Sequence, residues 1–88
     1  MNAGDIVSVV TMSGEYVGKL EEHTDDFVSL ADPRMLVMNQ EGMGFAHGLC
    51  VTGEKDPKEV KFKNYVLCTL TNQQVSDAWR AAVTGIVL

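Results

Sequence analysis

The side chains of this chain that could do covalent chemistry are isolated from one another. Cys50 and Cys68 stand far apart, each in an apolar stretch and without a CxxC pair, so we expect two buried free thiols in a cytoplasmic protein. His23 and His47 have no cysteine or carboxylate at metal-site spacing, and the serines lack the histidine and acid that would activate them. The sequence therefore predicts no enzyme, no cofactor and no metal.

Charged side chains are the next candidates, because they could contact phosphate. The net charge of −5 opposes general nucleic-acid binding, since most non-specific affinity comes from phosphate contacts. Residues 1–44 carry eight acids and two bases, whereas residues 45–88 carry four acids and five bases. Four of these bases are close together, at Lys55, Lys58, Lys61 and Lys63. They predict either a solvated hairpin with protective lysines on a strand edge or a phosphate-contacting patch.

These groups must be positioned within one small domain, residues 1–88. A core of this size is thin, and oligomerisation is a common way to bury more surface. The apolar stretches are far shorter than the roughly 20 residues of a membrane helix, and the first residues lack the pattern of a signal peptide. We therefore expect a cytoplasmic protein that does not engage a membrane.

Runs of β-branched and aromatic residues between turn signals predict a mostly β fold. The predicted strands are 6–12, 16–22, 27–32 with a resumption at 34–38, 45–51, 60–63 and 65–70. Pro33 is expected to interrupt the third strand, because proline cannot donate to a ladder, and 39–44 is expected to be a loop. Gly18 indicates a bend, a bulge or a close backbone approach. Five or six closely spaced strands suggest a small barrel over about 5–70.

The last segment of the chain has helical spacing. Residues 71–74 have the Thr-x-x-Gln form of a capping box that starts at Thr71. Apolar residues then recur on one face, at Val75, Ala78, Trp79, Ala82 and Val83. Gly85 is a predicted stop. We expect a helix over about 72–84, with Trp79 as its anchor on the barrel or on a neighbouring subunit.

Two segments resemble the paired motifs of the Sm, LSm and Hfq family. Residues 13–20 (SGEYVGKL) and 25–30 (DDFVSL) look like its first motif, with a turn glycine, a strand glycine and Asp-x-aromatic-hydrophobic before a strand. Residues 62–67 (FKNYVL) look like its second motif, where a basic and a small turn residue separate the last two strands. Asn64 replaces the usual glycine there, and asparagine tolerates a positive φ. The compact form with an insertion at 39–58 is similar to divergent Sm-like proteins of phages.

The resemblance implies a strongly bent, SH3-like barrel of about five strands that closes into a homo-oligomeric ring of about five to seven subunits. The strands at 60–62 and 65–70 would then pair between neighbouring subunits. It also implies a site for single-stranded RNA near the pore. By position, Phe27 would stack on a base and Asp25 would order the loop. The place of the base-reading asparagine falls at Ser29 when Asp25 is the anchor and at Val28 without a one-residue shift. Lys63 with Asn64 would form the second wall.

Two functions follow from the resemblance and from the departures from it. The first is a ring that binds single-stranded RNA at its pore. The missing asparagine, the net acidity and the position of the helix at the C-terminus favour the alternative, a structural or adaptor ring that binds protein partners without nucleic acid.

Overall fold

The structure is a computed structural model that describes residues 1–85. Its elements are β1 (Ile6–Thr11), β2 (Gly14–His23), β3 (Val28–Asn39), β4 (Gly42–Ala46), β5 (Glu59–Phe62), β6 (Leu67–Leu70) and the helix α1 (Gln73–Thr84). The strands form one antiparallel sheet in the order β4-β3-β2-β1-β6, and β5 pairs with β3 as well. This confirms a small, mostly β fold with a C-terminal helix. Within residues 1–85 the sheet is not closed, because β5 and β6 are not paired with each other.

β3 organises the sheet because it has partners on both edges. β2 runs along one edge, while the other edge carries β5 opposite Val28–Ala31 and β4 opposite Met35–Asn39. The expected interruption at Pro33 is wrong, since β3 continues through it. The register shifts instead, with Val17 opposite Arg34 and Lys19 opposite Ala31. This β-bulge accommodates the missing N–H of proline.

The segment 39–58 differs from its prediction. The expected loop at 39–44 is a tight β3–β4 hairpin, in which Asn39 pairs with Gly42 and the Asn39 side chain accepts a hydrogen bond from the Glu41 N–H at 2.8 Å. The strand expected at 45–51 ends at Ala46, and residues 47–58 form turns and bends. Glycine explains both changes: Gly42 has φ 126° and allows the turn, whereas Gly48 has φ 83° and ends the strand.

Two apolar clusters lie on the two sides of the sheet. The first consists of Val7, Val9, Leu20, Val28 and Leu30, with Phe62, Tyr65 and Cys68 packed against it. The second consists of Ile6, Val17 and Trp79, with Phe45, Val75 and Val83 packed against it. Successive residues of β1 alternate between the clusters, so this strand is buried on both sides of the sheet.

α1 is capped at both ends and anchored to the sheet at its centre. The capping residue is Asn72 rather than the expected Thr71, and its side chain accepts a hydrogen bond from the Val75 N–H at 2.9 Å. Gly85 ends the helix in the left-handed conformation, as predicted. Trp79 is 4% exposed, and its indole N–H donates to the carbonyl oxygen of Asp32 at 2.9 Å. Trp79 is therefore the anchor that the spacing predicted.

The apolar stripe of α1 is narrower than its spacing indicates. Ala78 and Ala82 are exposed, while Ser76 is buried beside Trp79. Among residues 1–85, no helix has the length and apolar character that crossing a membrane requires.

Candidate nucleic-acid interface

The β3–β5 ladder brings together four of the five residues that the resemblance singled out. Val28 pairs with Phe62 at the end of this ladder, and Ser29 pairs with Lys61. Phe27 therefore lies directly beyond the last pair on one strand, and Lys63 and Asn64 lie directly beyond it on the other. Val28 belongs to the first apolar cluster and Phe62 packs against it, and we call this the inner cluster. Phe27, Lys61 and Lys63 therefore face the opposite side.

Lys61 is a member of this group that the sequence prediction missed. Its Nζ lies 4.9 Å from the centroid of the Phe27 ring, a cation–π distance. Lys61 is exposed and Phe27 is half-buried, so an edge of the ring and the ammonium group share one surface. The alternation of residues 60–63 places Lys61 and Lys63 on the same side of β5, and this signal could have found it. We call Phe27, Lys61 and Lys63 the Phe27 face.

Ser29 is buried and hydrogen-bonded, so its side chain is not open to a ligand. Its side chain is 2% exposed, and its hydroxyl donates a hydrogen bond to Oε1 of Glu59 at 3.3 Å. A base-reading group must present its polar atoms to the ligand. Ser29 therefore supports the β3–β5 ladder next to the Phe27 face, and its hydroxyl is already engaged.

The turn before Phe27 is ordered by Thr24. The Thr24 Oγ1 accepts hydrogen bonds from the N–H groups of Asp26 and Phe27, each at 3.1 Å, and the Thr24 N–H donates to the Phe27 carbonyl at 2.9 Å. The resemblance assigned the ordering of this loop to Asp25, whose side chain is exposed. In the structure a hydroxyl one residue earlier satisfies the turn, and the role of Asp25 stays a prediction.

The second wall of the site turns at Asn64. Asn64 has φ 55°, a left-handed conformation in which asparagine is one of the few tolerated side chains. Tyr65 follows, packs its ring against the inner cluster, and places its hydroxyl 3.1 Å from Nε2 of His23. Asn64 thus has a positive φ, as expected for a residue that replaces the usual glycine of the second motif.

Acidic side chains surround the Phe27 face. Glu22 is the cross-strand neighbour of Ser29, and Asp25 and Asp26 are exposed in the adjoining turn. Of the four clustered lysines, Lys61 and Lys63 belong to this face, while Lys58 lines a cavity of about 230 Å³ below Arg34. The positive charge of the Phe27 face therefore comes from only two of the four lysines, so this face can contact the phosphates of only a short nucleic-acid segment.

Other polar groups lie away from this face. Oδ1 of Asp56 lies 3.7 Å from Nε of Arg34 and 3.4 Å from Nδ1 of His47. A groove of about 630 Å³ runs between α1 and the sheet, with Lys19, Arg80, Asp32 and Asp77 on its walls. No group of three or more potential metal ligands occurs among residues 1–85.

The two cysteines have different environments. Cys50 is exposed, so the expectation that both thiols are buried is wrong for it. It lies in the turn-rich segment that follows β4, where no apolar partner strand covers it. Cys68 is partly buried on β6, and this burial raises the pKa of its thiol.

Comparisons of the chain with protein-family models, with curated proteins and with solved structures gave no match.

Proposed function

We propose that this protein is an Sm-like, SH3-like barrel that assembles into a homo-oligomeric ring and binds single-stranded RNA through the Phe27 face. The observation that carries the RNA proposal is the contact of Lys61 with the Phe27 ring, 4.9 Å from its centroid, near the end of the β3–β5 ladder, which Lys63 directly follows in the chain. An aromatic ring beside two cations is the combination that binds stacked bases and their phosphates.

The ring proposal is supported by the edges of the sheet. β5 and β6 each have one edge that pairs with no strand of residues 1–85. Large apolar side chains are exposed on and beside β6: Val66 is 63%, Leu67 47% and Leu70 57% exposed. Unpaired edges with apolar side chains promote association. Pairing of the β5 edge of one subunit with the β6 edge of the next is a head-to-tail contact, which closes into a ring.

In this arrangement each residue of the Phe27 face has one role. A base stacks on the accessible part of the Phe27 ring. The ammonium groups of Lys61 and Lys63 contact the phosphates on either side. Because the surrounding carboxylates repel phosphate, binding requires the stacking contribution, and its salt dependence is limited to that of the two lysine–phosphate contacts.

Short oligo-U and oligo-A RNAs titrated at low salt, with fluorescence anisotropy as the readout, test the RNA proposal. Phe27→Ala is expected to weaken binding at least about fivefold, because stacking of one base contributes about 1–3 kcal/mol. Lys61→Ala is expected to weaken binding and to lower the slope of log Kd against log salt by about one.

The matched control is Lys19→Ala, since Lys19 is an exposed lysine that lines the groove beside α1, and no residue of the Phe27 face lines that groove. Its affinity should equal that of the wild type. Absence of RNA binding at low salt, or equal binding by all four proteins, would contradict the proposal.

The alternative is a structural or adaptor ring that binds a protein partner. The exposed acids Glu21, Glu22, Asp25 and Asp26 favour this function, since together with the net charge of −5 they suit a basic protein surface. Native mass spectrometry of the purified protein discriminates the two, because a ring isolated without nucleotide mass, which also fails the RNA titration, favours the adaptor.

A further inference from the structure

Within residues 1–85, one side-chain hydrogen bond joins the two loops beside the Phe27 face. The hydroxyl of Tyr65 lies 3.1 Å from Nε2 of His23, across 42 positions of sequence. The two rings are tilted by 50°, with their centroids 6.4 Å apart. His23 is the last residue of β2, and Tyr65 lies between the Asn64 turn and β6.

The residues of the Phe27 face that need positioning lie outside the sheet ladder. The β3–β5 pairing ends at Val28 and Phe62, so no ladder bond fixes Phe27 relative to Lys63. Phe27 is instead held by the Thr24 turn, which starts directly after His23. Lys63 precedes the left-handed Asn64, and the next fixed point along the chain is the Tyr65 ring against the inner cluster.

Each loop is thus ordered internally, and the His23–Tyr65 bond is the side-chain contact that ties one to the other. Tyr65 is suited to this because its ring is held by apolar packing while its hydroxyl reaches the surface. The bond can form in either neutral tautomer of His23, and in its protonated form, because a phenol hydroxyl both donates and accepts.

We propose that the His23–Tyr65 hydrogen bond is a clamp that fixes the Thr24 turn relative to the Asn64 turn, and so sets the spacing of Phe27 and Lys63 for RNA. This inference rests on the proposed RNA-binding function. His23 and Tyr65 are positioning residues, since they lie on the side of the ladder opposite to the Phe27 face and act through the two loops.

A double-mutant cycle measures the clamp directly. Tyr65→Phe removes the hydroxyl and keeps the ring in the core, while His23→Ala removes the partner. Each variant is expected to weaken oligo-RNA binding about threefold to tenfold, the factor associated with one hydrogen bond. The double variant should bind no more weakly than either single one, because both remove the same interaction. Additive losses would overturn the clamp.

The control for loss of a tyrosine hydroxyl is Tyr16→Phe. The Tyr16 hydroxyl bonds to Oγ of Ser13, at 3.2 Å, in the β1–β2 turn. This variant removes a hydroxyl that bonds within the β1–β2 turn and keeps the Tyr16 ring on Phe62, so its RNA affinity should match that of the wild type.

Amide hydrogen exchange separates failure of the clamp from failure of the RNA proposal, because it needs no RNA. With the clamp removed, the amides of residues 24–27 and 63–65 should exchange faster together, while those of β1 and β2 keep their protection. If Phe27→Ala abolishes RNA binding but Tyr65→Phe changes neither affinity nor exchange, the clamp is wrong and the RNA proposal stands. If the wild type binds no RNA, the RNA role is wrong, and coupled exchange of the two loops alone decides whether the bond joins them.

Discussion

Gly18 is a residue at which β2 lies close to the backbone of β3. A Cβ atom at this position would lie 3.0 Å from Cβ of Leu30 and 3.1 Å from the carbonyl oxygen of Ala31. Both neighbours belong to the backbone or stand next to it, so they cannot move aside as a flexible side chain would. Gly18 also lies beside the β3 bulge, where Val17 and Lys19 skip one residue of their partner strand. The close approach expected from a glycine inside a strand is therefore present.

Gly18→Ala is expected to lower the free energy of unfolding by about 1–3 kcal/mol, because the added methyl group overpacks a rigid site. Urea unfolding measures this change. The matched control is Gly44→Ala, since a Cβ at Gly44 meets no atom within 4 Å, and removing a glycine slightly stabilises where the backbone permits it. Equal stability of the two variants would show that the contact with Leu30 and Ala31 has no energetic weight.

At the scale of elements, α1 depends on its cap as well as on its packing. The Asn72 side chain satisfies the Val75 N–H, one of the four amides that a helix start leaves without an intrahelical partner. The other end stops at Gly85, whose N–H donates to the Ala81 carbonyl at 2.9 Å. Between them, Trp79 ties the helix to the carbonyl of Asp32 at the β3 bulge.

Asn72→Ala is expected to destabilise the protein by about 1 kcal/mol, the typical cost of losing an N-cap side chain. Gln74→Ala is the control, because Gln74 is the exposed partner that a capping box starting at Thr71 would have used. It should change the thermal midpoint by less than Asn72→Ala. If Gln74→Ala lowered the thermal midpoint more than Asn72→Ala, the capping residue would be Thr71 and not Asn72.

The elements also show which features the sequence could predict. β-branched runs and alternation located β1, β2 and β5, and helical spacing located α1, because local pattern and burial agree there. The path through Pro33 depended on a bulge that only the pairing of β2 with β3 reveals. The β3–β4 hairpin depended on the positive φ of Gly42, and composition alone does not distinguish a hairpin glycine from a loop glycine.

Predictability of the site had a similar limit. The motif order put Phe27 and Lys63 in one predicted site, and the structure places each of them directly beyond the Val28–Phe62 pair, while their binding role stays a prediction. It did not reveal the engagement of Ser29 by Glu59 or the role of Thr24 in the turn. These depend on side-chain partners that come from other parts of the chain.

At the scale of the whole molecule, the open edges of the sheet determine how copies of the chain can associate. β6 presents Leu67 and Leu70 to solvent next to an unpaired strand edge. In a small domain with a thin core, covering such an edge adds buried apolar surface that the monomer lacks. The proposed ring uses the whole of this edge.

Leu70→Lys is expected to convert the proposed ring into monomers, because a lysine at a strand edge opposes edge-to-edge pairing. Native mass spectrometry at micromolar concentration gives the subunit number directly. Met12→Lys is the control, since Met12 is 93% exposed in the β1–β2 turn, away from β5 and β6. A wild-type protein that is monomeric at this concentration would contradict the ring.

The position of Trp79 has an optical consequence. It is the only indole of the chain, and it lies in the contact between α1 and the sheet. Its emission therefore reports on helix docking, with a shift to longer wavelength when water reaches the ring, while circular dichroism follows the strands. Coincident transitions would mean that helix and sheet unfold as one cooperative unit, and an earlier fluorescence change would mean that α1 detaches first. One unlabelled sample thus records the order in which the domain comes apart.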